Sequence, residues 1–359
     1  MTIDILTPGD LSRDDVAAWT RLQDQSSLLN PFFSPHWVQA CARANGPDHH
    51  QAKVAVLRDG GEAVGFFPAR VNRGAAMPVG APMCDYQAMV AKPGVAFCPR
   101  QIVRAFRVGR LDFTSLVEDQ IPFHSYMRGR HESQVIDLSD GYDAYAAQRR
   151  AAGTDILQDT AKKRRKLERE HGEITFGALS NAQADFDQLF VWKRAQYLAS
   201  GQTDIFDAGW TQALLQDLFE RPAPDFGGAF FTLYAGGKLA AAHFALRQNG
   251  VLHAWFIAHD EAFAKYSPGV VLINDILKWA GEAGVSELDL GPGDYRFKQS
   301  LANLKRGVAH GYVGRPSRAT FLREAAYQVR DTFEALPLGR YSALPGKAMR
   351  RLDLRRSLG

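Results

Sequence analysis

Between Glu287 and Asn303 the chain reads ELDLGPGDYRFKQSLAN, which sets Asp289, Asp294, Tyr295, Arg296 and Lys298 close together. Amide formation by acyl transfer needs a base for the amine proton and an acid for the leaving group, and one carboxylate with one tyrosine supplies both. Asp294 and Tyr295 are the expected base and acid, with Asp289 a further catalytic carboxylate. Lys298 is the expected cation for a substrate phosphate, and Arg296 a second substrate contact. A solvated polar loop has a similar composition, because such residues are common on surfaces.

Upstream, KYSPGVVLIND opens a helix at Pro268 and Gly269. Free amides and the positive dipole end at such a start suit a pyrophosphate, which makes Ser267, Pro268, Gly269, Val270 and Val271 the expected contacts. An ordinary proline-started helix has the same signature. No GxxxxGK[ST] accompanies it, and GPG at 291–293 lacks GxGxxG, so neither a nucleoside triphosphatase nor a dinucleotide-binding fold is indicated. His243 is either a half-buried histidine or a general base facing a cleft. The Asn249-Gly250 turn pairs Gln248 with Val251 and Ala245 with Ala254. Continued along the strands, that register pairs His243 with Phe256 and puts His243 and His259 on opposite faces, so no histidine metal pair forms. No metal site is expected.

The elements that must position these groups follow from the patterning. A helix, SPHWVQACARA, starts with Ser34 as cap and Pro35 at its first position. KVAVL and AVGFFPARV, joined at Asp59, Gly60 and Gly61, form a hairpin. The Pro- and Gly-rich MPVGAPMCDYQAM is a shaped loop lining a cleft, which makes Asp85 and Tyr86 candidate substrate contacts. RQIVRAFRVG is helical and SQVIDLS a strand. ILQDTAKKRRKLEREHG is a charged helix ended by Gly172, and the domain junction falls there. Its AKKRRKLERE is a cationic rail for an anionic substrate or a solvated face with i,i+4 pairing of Lys162, Lys166 and Glu170. Beyond it a helix, FDQLFVWKRAQYLAS, and a three-stranded meander run into a βαβ crossover through VVLINDILKWAGEAG to VSELDLG.

At 359 residues, with 46% hydrophobic and 23% charged residues, the chain is long enough for two globular domains. Cys41, Cys84 and Cys98 are odd in number and widely spaced, and read as reduced thiols. Neither a leader nor an apolar run of spanning length is visible, so a cytoplasmic protein is expected, possible contact with the inner membrane coming through its tail. The formal net charge of +4 is carried by Arg340, Lys347, Arg350, Arg351, Arg355 and Arg356 in the last twenty residues, opposed there by Asp353 alone. A chain basic only at its tail is no general DNA binder. The tail suits an anionic membrane surface or, through Arg351 and Arg355 as RxxxR, a cyclic dinucleotide; a frayed basic end has the same composition.

FFSPHW, PVGAPMCDYQ, KRRKLEREHG, KYSPGVVLINDILKWA and LDLGPGDYRFKQSLA together resemble the acyltransferases of the Gcn5-related (GNAT) superfold. Within it, the chain resembles the CelD/FemAB-like family, and it is similar to the holdfast-polysaccharide N-acyltransferase of stalked bacteria that belongs to that family. The resemblance implies a mixed α/β fold of two tandem acetyltransferase-like domains. The expected division is an N-terminal domain over 1–150, a catalytic acyl-CoA-binding domain over 151–315 and a basic tail over 316–359. It further implies that coenzyme A binds where strands part at Ala258 and Leu290, with the Ser267–Gly269 loop on the pyrophosphate. The implied activity is N-acylation, from acyl-CoA, of an amino sugar in an exopolysaccharide or lipid-linked glycan precursor at the cytoplasmic face. Two alternatives stand beside it: aminoacyl transfer from tRNA to a peptidoglycan precursor, and regulatory nucleotide binding by the Arg351/Arg355 tail.

Overall fold

The computed structural model describes residues 1–44, 51–72, 74–221, 225–293, 295–336, 341–342 and 344–358. The first half runs β1 (Thr2–Leu6), α1 (Arg13–Asp24), α2 (Pro35–Ala44), β2 (Ala52–Asp59), β3 (Glu62–Asn72), β4 (Ala75–Met77), β5 (Val90–Ala91), α3 (Pro99–Ala105), β6 (Arg110–Val117) and β7 (Met127–Asp137). The second runs α4 (Gly141–Ala151), α5 (Ile156–His171), β8 (Ile174–Gly177), α6 (Gln183–Ser200), α7 (Gly209–Glu220), β9 (Phe226–Ala235), β10 (Lys238–Gln248), β11 (Val251–His259), α8 (Pro268–Glu282), β12 (Glu287–Pro292), α9 (Arg296–Leu301) and β13 (Leu304–Gly314). Two helices close the chain, α10 (Arg318–Ala335) and α11 (Leu344–Leu358).

The two halves repeat one plan. In the first, antiparallel β2–β3–β4 is followed by crossover helix α3 and by β6, parallel to β4. In the second, antiparallel β9–β10–β11 is followed by α8 and by β12, parallel to β11. The last strand of each half then crosses over: β7 pairs with β12, and β13 lies between β6 and β7. One thirteen-stranded sheet results, ordered β1-β2-β3-β4-β6-β13-β7-β12-β11-β10-β9-β8, with β5 on β3.

Helix α8 is the crossover that shapes the site. Its Leu272, Ile276, Leu277 and Ala280 are fully buried against the sheet, recurring with the helical period. Each large side chain of that set contributes about 1.5–3 kcal/mol by leaving water. The register expected from the Asn249-Gly250 turn holds as far as Ala245↔Ala254. A bulge between Phe244 and Ala245 then moves His243 onto Ile257 and pairs Ala241 with His259. The expectation of opposite faces is therefore corrected: the extra residue in β11 shifts the pleat, and His243 and His259 share one face. The expected basic tail is helical over most of its length, with Arg323 of α10 tied to Asp353 of α11 at 2.8 Å.

Candidate active site

Strands β11 and β12 pair only from Val251↔Glu287 to His253↔Asp289, and beyond that they part. At the parting, β12 is irregular between Asp289 and Pro292, and Gly291 takes φ 73°. A cavity of about 520 Å³ opens there. Ser267, Gly269 and Val270 wall it at the start of α8, Trp255, Ile257 and His259 along β11, Lys193 from α6, and Tyr295 and Lys298 from the segment after β12.

Ser267 enters α8 with φ 52° and ψ 54°, a left-handed conformation that costs a non-glycine residue about 1–3 kcal/mol. The preceding turn holds it there: Glu170 at the end of α5 accepts hydrogen bonds from Lys265 and from the Tyr266 hydroxyl. Two residues on, glycine keeps the approach clear, since a β-carbon on Gly269 would stand 3.3 Å from Ile257 Cδ1. The amides are arranged differently from expectation. Val270 and Val271 both donate to the Ser267 carbonyl, at 2.9 and 3.2 Å: the Val271 bond is the ordinary first bond of the helix, and the tighter i→i+3 bond takes up Val270 as well. The Gly269 amide alone remains open among the first three residues of the helix, Pro268 having none. Cationic help comes from α5, whose Lys163 ammonium donates to Ser267 Oγ at 3.0 Å. Lys162, Lys166 and Glu170 are exposed, as the solvated-face reading expects, but Glu170 pairs with Lys265 in place of an i,i+4 partner, Arg164 pairs with Asp275, and Lys166 lies over the Tyr266 ring.

Inside the cleft, burial draws the Lys193 ammonium down to about 8, and the neighbouring charge of Lys298 adds to the effect. Lys298 is lowered by burial against the opposing pull of Asp85 and Asp289. His243 lies in the same wall, held neutral by burial at about 3, and its Nδ1 has no hydrogen-bond partner among the described residues.

Behind the parting strands lies a buried ionic cluster drawn from both halves. His253 of β11 places Nε2 2.8 Å from Asp85 Oδ2 and Nδ1 3.7 Å from Asp289 Oδ1. Asp289 accepts from Asn30 Nδ2 at 3.1 Å, Ser133 Oγ at 3.3 Å, the Gly291 amide at 2.8 Å and Arg306 Nη1 at 2.7 Å. Asn30 caps the short turn Pro31–Phe33 by accepting from the Phe32 amide, which turns its Nδ2 toward His253 and Asp289. Burial resists charge on His253, yet Asp289 and Asp85 raise it to about 9. Burial likewise resists charge on Asp289, and His253 and Arg306 hold it at about 2. Asp85 is the one carboxylate here that reaches solvent, with a side chain 33% exposed and Oδ1 without a partner among the described residues. A β-carbon on Gly291 would stand 3.3 Å from Asp85 Oδ2, so the carboxylate lies against the bulge where the strands separate.

The structure brings together Ser267, Gly269, Val270, His243, Tyr295 and Lys298 around the cavity. Ala258, Pro268 and Val271 are buried in its frame and do not line it. Asp289 lies behind the wall, fully enclosed, because Arg306, Ser133 and Asn30 occupy its oxygens. Tyr86, expected at substrate, is 1% exposed and packs edge-on to His253 under the Arg306 guanidinium. Arg296 is exposed at the start of α9, outside the cavity wall. Asp294 lies outside the described residues. Arg351 and Arg355 are exposed, one turn apart on α11. Sequence reasoning missed Lys163, Lys193, Asn30, His253 and Arg306; only Lys163, in KKRRK, carried a signal. Among the described residues no group of three or more His, Cys, Asp or Glu is placed to hold a metal ion. No helix among them is long and apolar enough to cross a membrane.

Residues 155–299 match the family described as acetyltransferase (GNAT) domain. That span contains α5, α8 and every cavity residue named above. Among solved structures, a conserved protein of unknown function from Bacteroides thetaiotaomicron VPI-5482 is 11% identical, with TM-score 0.53 over 86% of this chain and 100% of that one. FemX is 10% identical, with TM-score 0.50 over 76% of this chain and 90% of its own. A tandem GNAT protein from the clavulanic acid biosynthesis pathway is 12% identical, with TM-score 0.49 over 88% and 99%. At such identities the first two likenesses speak to the fold alone. A comparison with curated proteins finds no relative by sequence.

Proposed function

We propose that this chain, an acyltransferase of the GNAT type, takes the acyl group of an acyl-CoA and passes it to the amine of an amino sugar in a glycan precursor. The observation that carries the reading is the cleft where β11 and β12 part, walled by the start of α8 and by Tyr295 and Lys298, with Lys163 bonded to Ser267 and Asp85, outside the lining, close enough for its charge to act on Lys298. The Gly269 amide, the α8 dipole and Lys163 suit the diphosphate of the donor. Asp85 takes the proton of the attacking amine, which adds to the thioester carbonyl; when the tetrahedral adduct collapses, the C–S bond breaks and Tyr295 protonates the departing sulfur. Acyl-CoA supplies the activated thioester carbon. Lys193 and Lys298 favour an anionic substrate group, and a phosphate-linked sugar of an exopolysaccharide or adhesin precursor has that chemistry.

The test is release of free thiol from a set of acyl-CoAs with and without amino-sugar nucleotides and lipid-linked amino sugars, with the product identified by mass spectrometry. Acceptor-dependent thiol release and an N-acyl sugar are expected. Turnover that requires charged tRNA and ignores acyl-CoA would transfer the reading to an aminoacyl transferase.

A further inference from the structure

Helix α10 has its polarity reversed. Arg323 and Arg330, each 9% exposed, and Tyr327, 3% exposed, face the protein. There Arg323 pairs with Asp353, Arg330 donates to the Arg128 carbonyl at 2.8 Å, and Tyr327 stacks between His310 and Tyr312. Phe321, Leu322, Val329 and Phe333, by contrast, are exposed at 73, 67, 50 and 39%. At 3.6 residues per turn these four fall within an arc of about 120°. A surface helix of a globular domain turns such a stripe inward, and an outward stripe of large apolar side chains marks an interaction face.

Next to it α11 exposes Leu344 and Leu352 among Lys347, Arg350, Arg351, Arg355 and Arg356. None of these five cations has a carboxylate partner among the described residues. Apolar side chains beside unpaired cations match the interface of an anionic bilayer, where acyl chains take the first and lipid phosphates the second. Two copies of this chain docking face to face would crowd like charges together, which opposes self-association.

We propose that the α10–α11 hairpin docks the protein on an anionic lipid membrane, with Phe321, Leu322, Val329 and Phe333 entering the interface and the α11 arginines contacting lipid phosphates. This reading stands apart from the catalytic one, because vesicle binding is measured without turnover. The full chain is floated with vesicles of phosphatidylcholine alone and with about 30% phosphatidylglycerol. At low salt, binding is expected to be about ten-fold stronger to the anionic vesicles and to weaken as salt rises. Phe321→Glu/Val329→Glu/Phe333→Glu, and separately Arg351→Glu/Arg355→Glu, are each expected to reduce flotation about ten-fold with acyl transfer in solution unchanged. Should the first variant fail to fold, the arginine variant and the salt dependence decide. Absence of flotation, equal flotation of the arginine variant, or a dimer in sedimentation that the apolar variant dissolves would overturn the proposal.

Discussion

A proton leaving an amine in the cleft needs an acceptor that it can reach. Asp289 fails that condition, being enclosed on all sides with its oxygens bonded to Arg306, Asn30, Ser133 and the Gly291 amide. Asp85 is the candidate we propose: one oxygen is fixed by His253 at 2.8 Å and the other has no partner among the described residues, on a side chain one-third exposed. Asp85→Asn keeps the shape and the acceptor toward His253 while removing the base, so kcat/KM should fall by about 10²–10⁴ with little change in thermal midpoint. Steady-state thiol release measures this, and a full rate in Asp85→Asn with loss in Asp294→Asn would return the base role to Asp294. His253 makes a second prediction. Its pKa rises from about 6.5 unfolded to about 9 folded. The stability it contributes is therefore complete below pH ~6.5 and is lost as pH climbs through ~9, a change of up to about 3 kcal/mol. Urea unfolding across that range should show the decline in the natural protein and a flatter profile, lower at neutral pH, in His253→Gln.

At the scale of elements, the start of α8 and the flank of α5 form one connected unit, which the proposed reading makes the donor site. Lys163 reaches Ser267 from a helix joined to that loop through Glu170 and Tyr266. Lys163→Met removes a cation at an exposed site and should raise the Kd for acyl-CoA several-fold, leaving kcat near its natural value. Gly269→Val sets branched carbons where a bare β-carbon already meets Ile257 at 3.3 Å, and should abolish donor binding in a calorimetric titration while the protein remains folded. Part of this unit was legible in the sequence, since SPGVV and the recurring Leu272 and Ile276 follow local rules of capping and amphipathicity, although Ala283, expected on the same face, is exposed. The free amide at Val270 was misjudged, because the tighter i→i+3 bond to the Ser267 carbonyl takes it up. The face of His243 was misjudged for a related reason: no local signal announces a bulge. His253, Asn30 and Arg306 were invisible as a site, since their meeting requires strands from both halves to lie side by side.

That meeting is a property of the whole molecule. Each half surrenders its last strand, β7 to the neighbourhood of β12 and β13 to that of β6, so neither half has a complete sheet of its own. The buried ionic cluster inherits this arrangement: Asn30 and Asp85 come from the first half, Ser133 from the exchanged strand β7, His253 and Asp289 from the second half, and Arg306 from the exchanged strand β13. The strand plan repeats between the two halves, yet the repeat units are not expected to be independent. Expressed alone, 1–150 would leave one edge of β6 and both edges of β7 unpaired, and 151–359 would strip β12 and β13 of β7 and β6; exposed edges of this kind aggregate. Each fragment alone should therefore be insoluble, whereas co-expression should return a one-to-one complex that elutes with the intact chain and regains thiol release. Because Asp85 and the cavity lie on different fragments, recovery of activity with recovery of solubility would report the exchanged strands. A soluble, folded and active 151–359 alone would show that the cluster needs nothing from the first half.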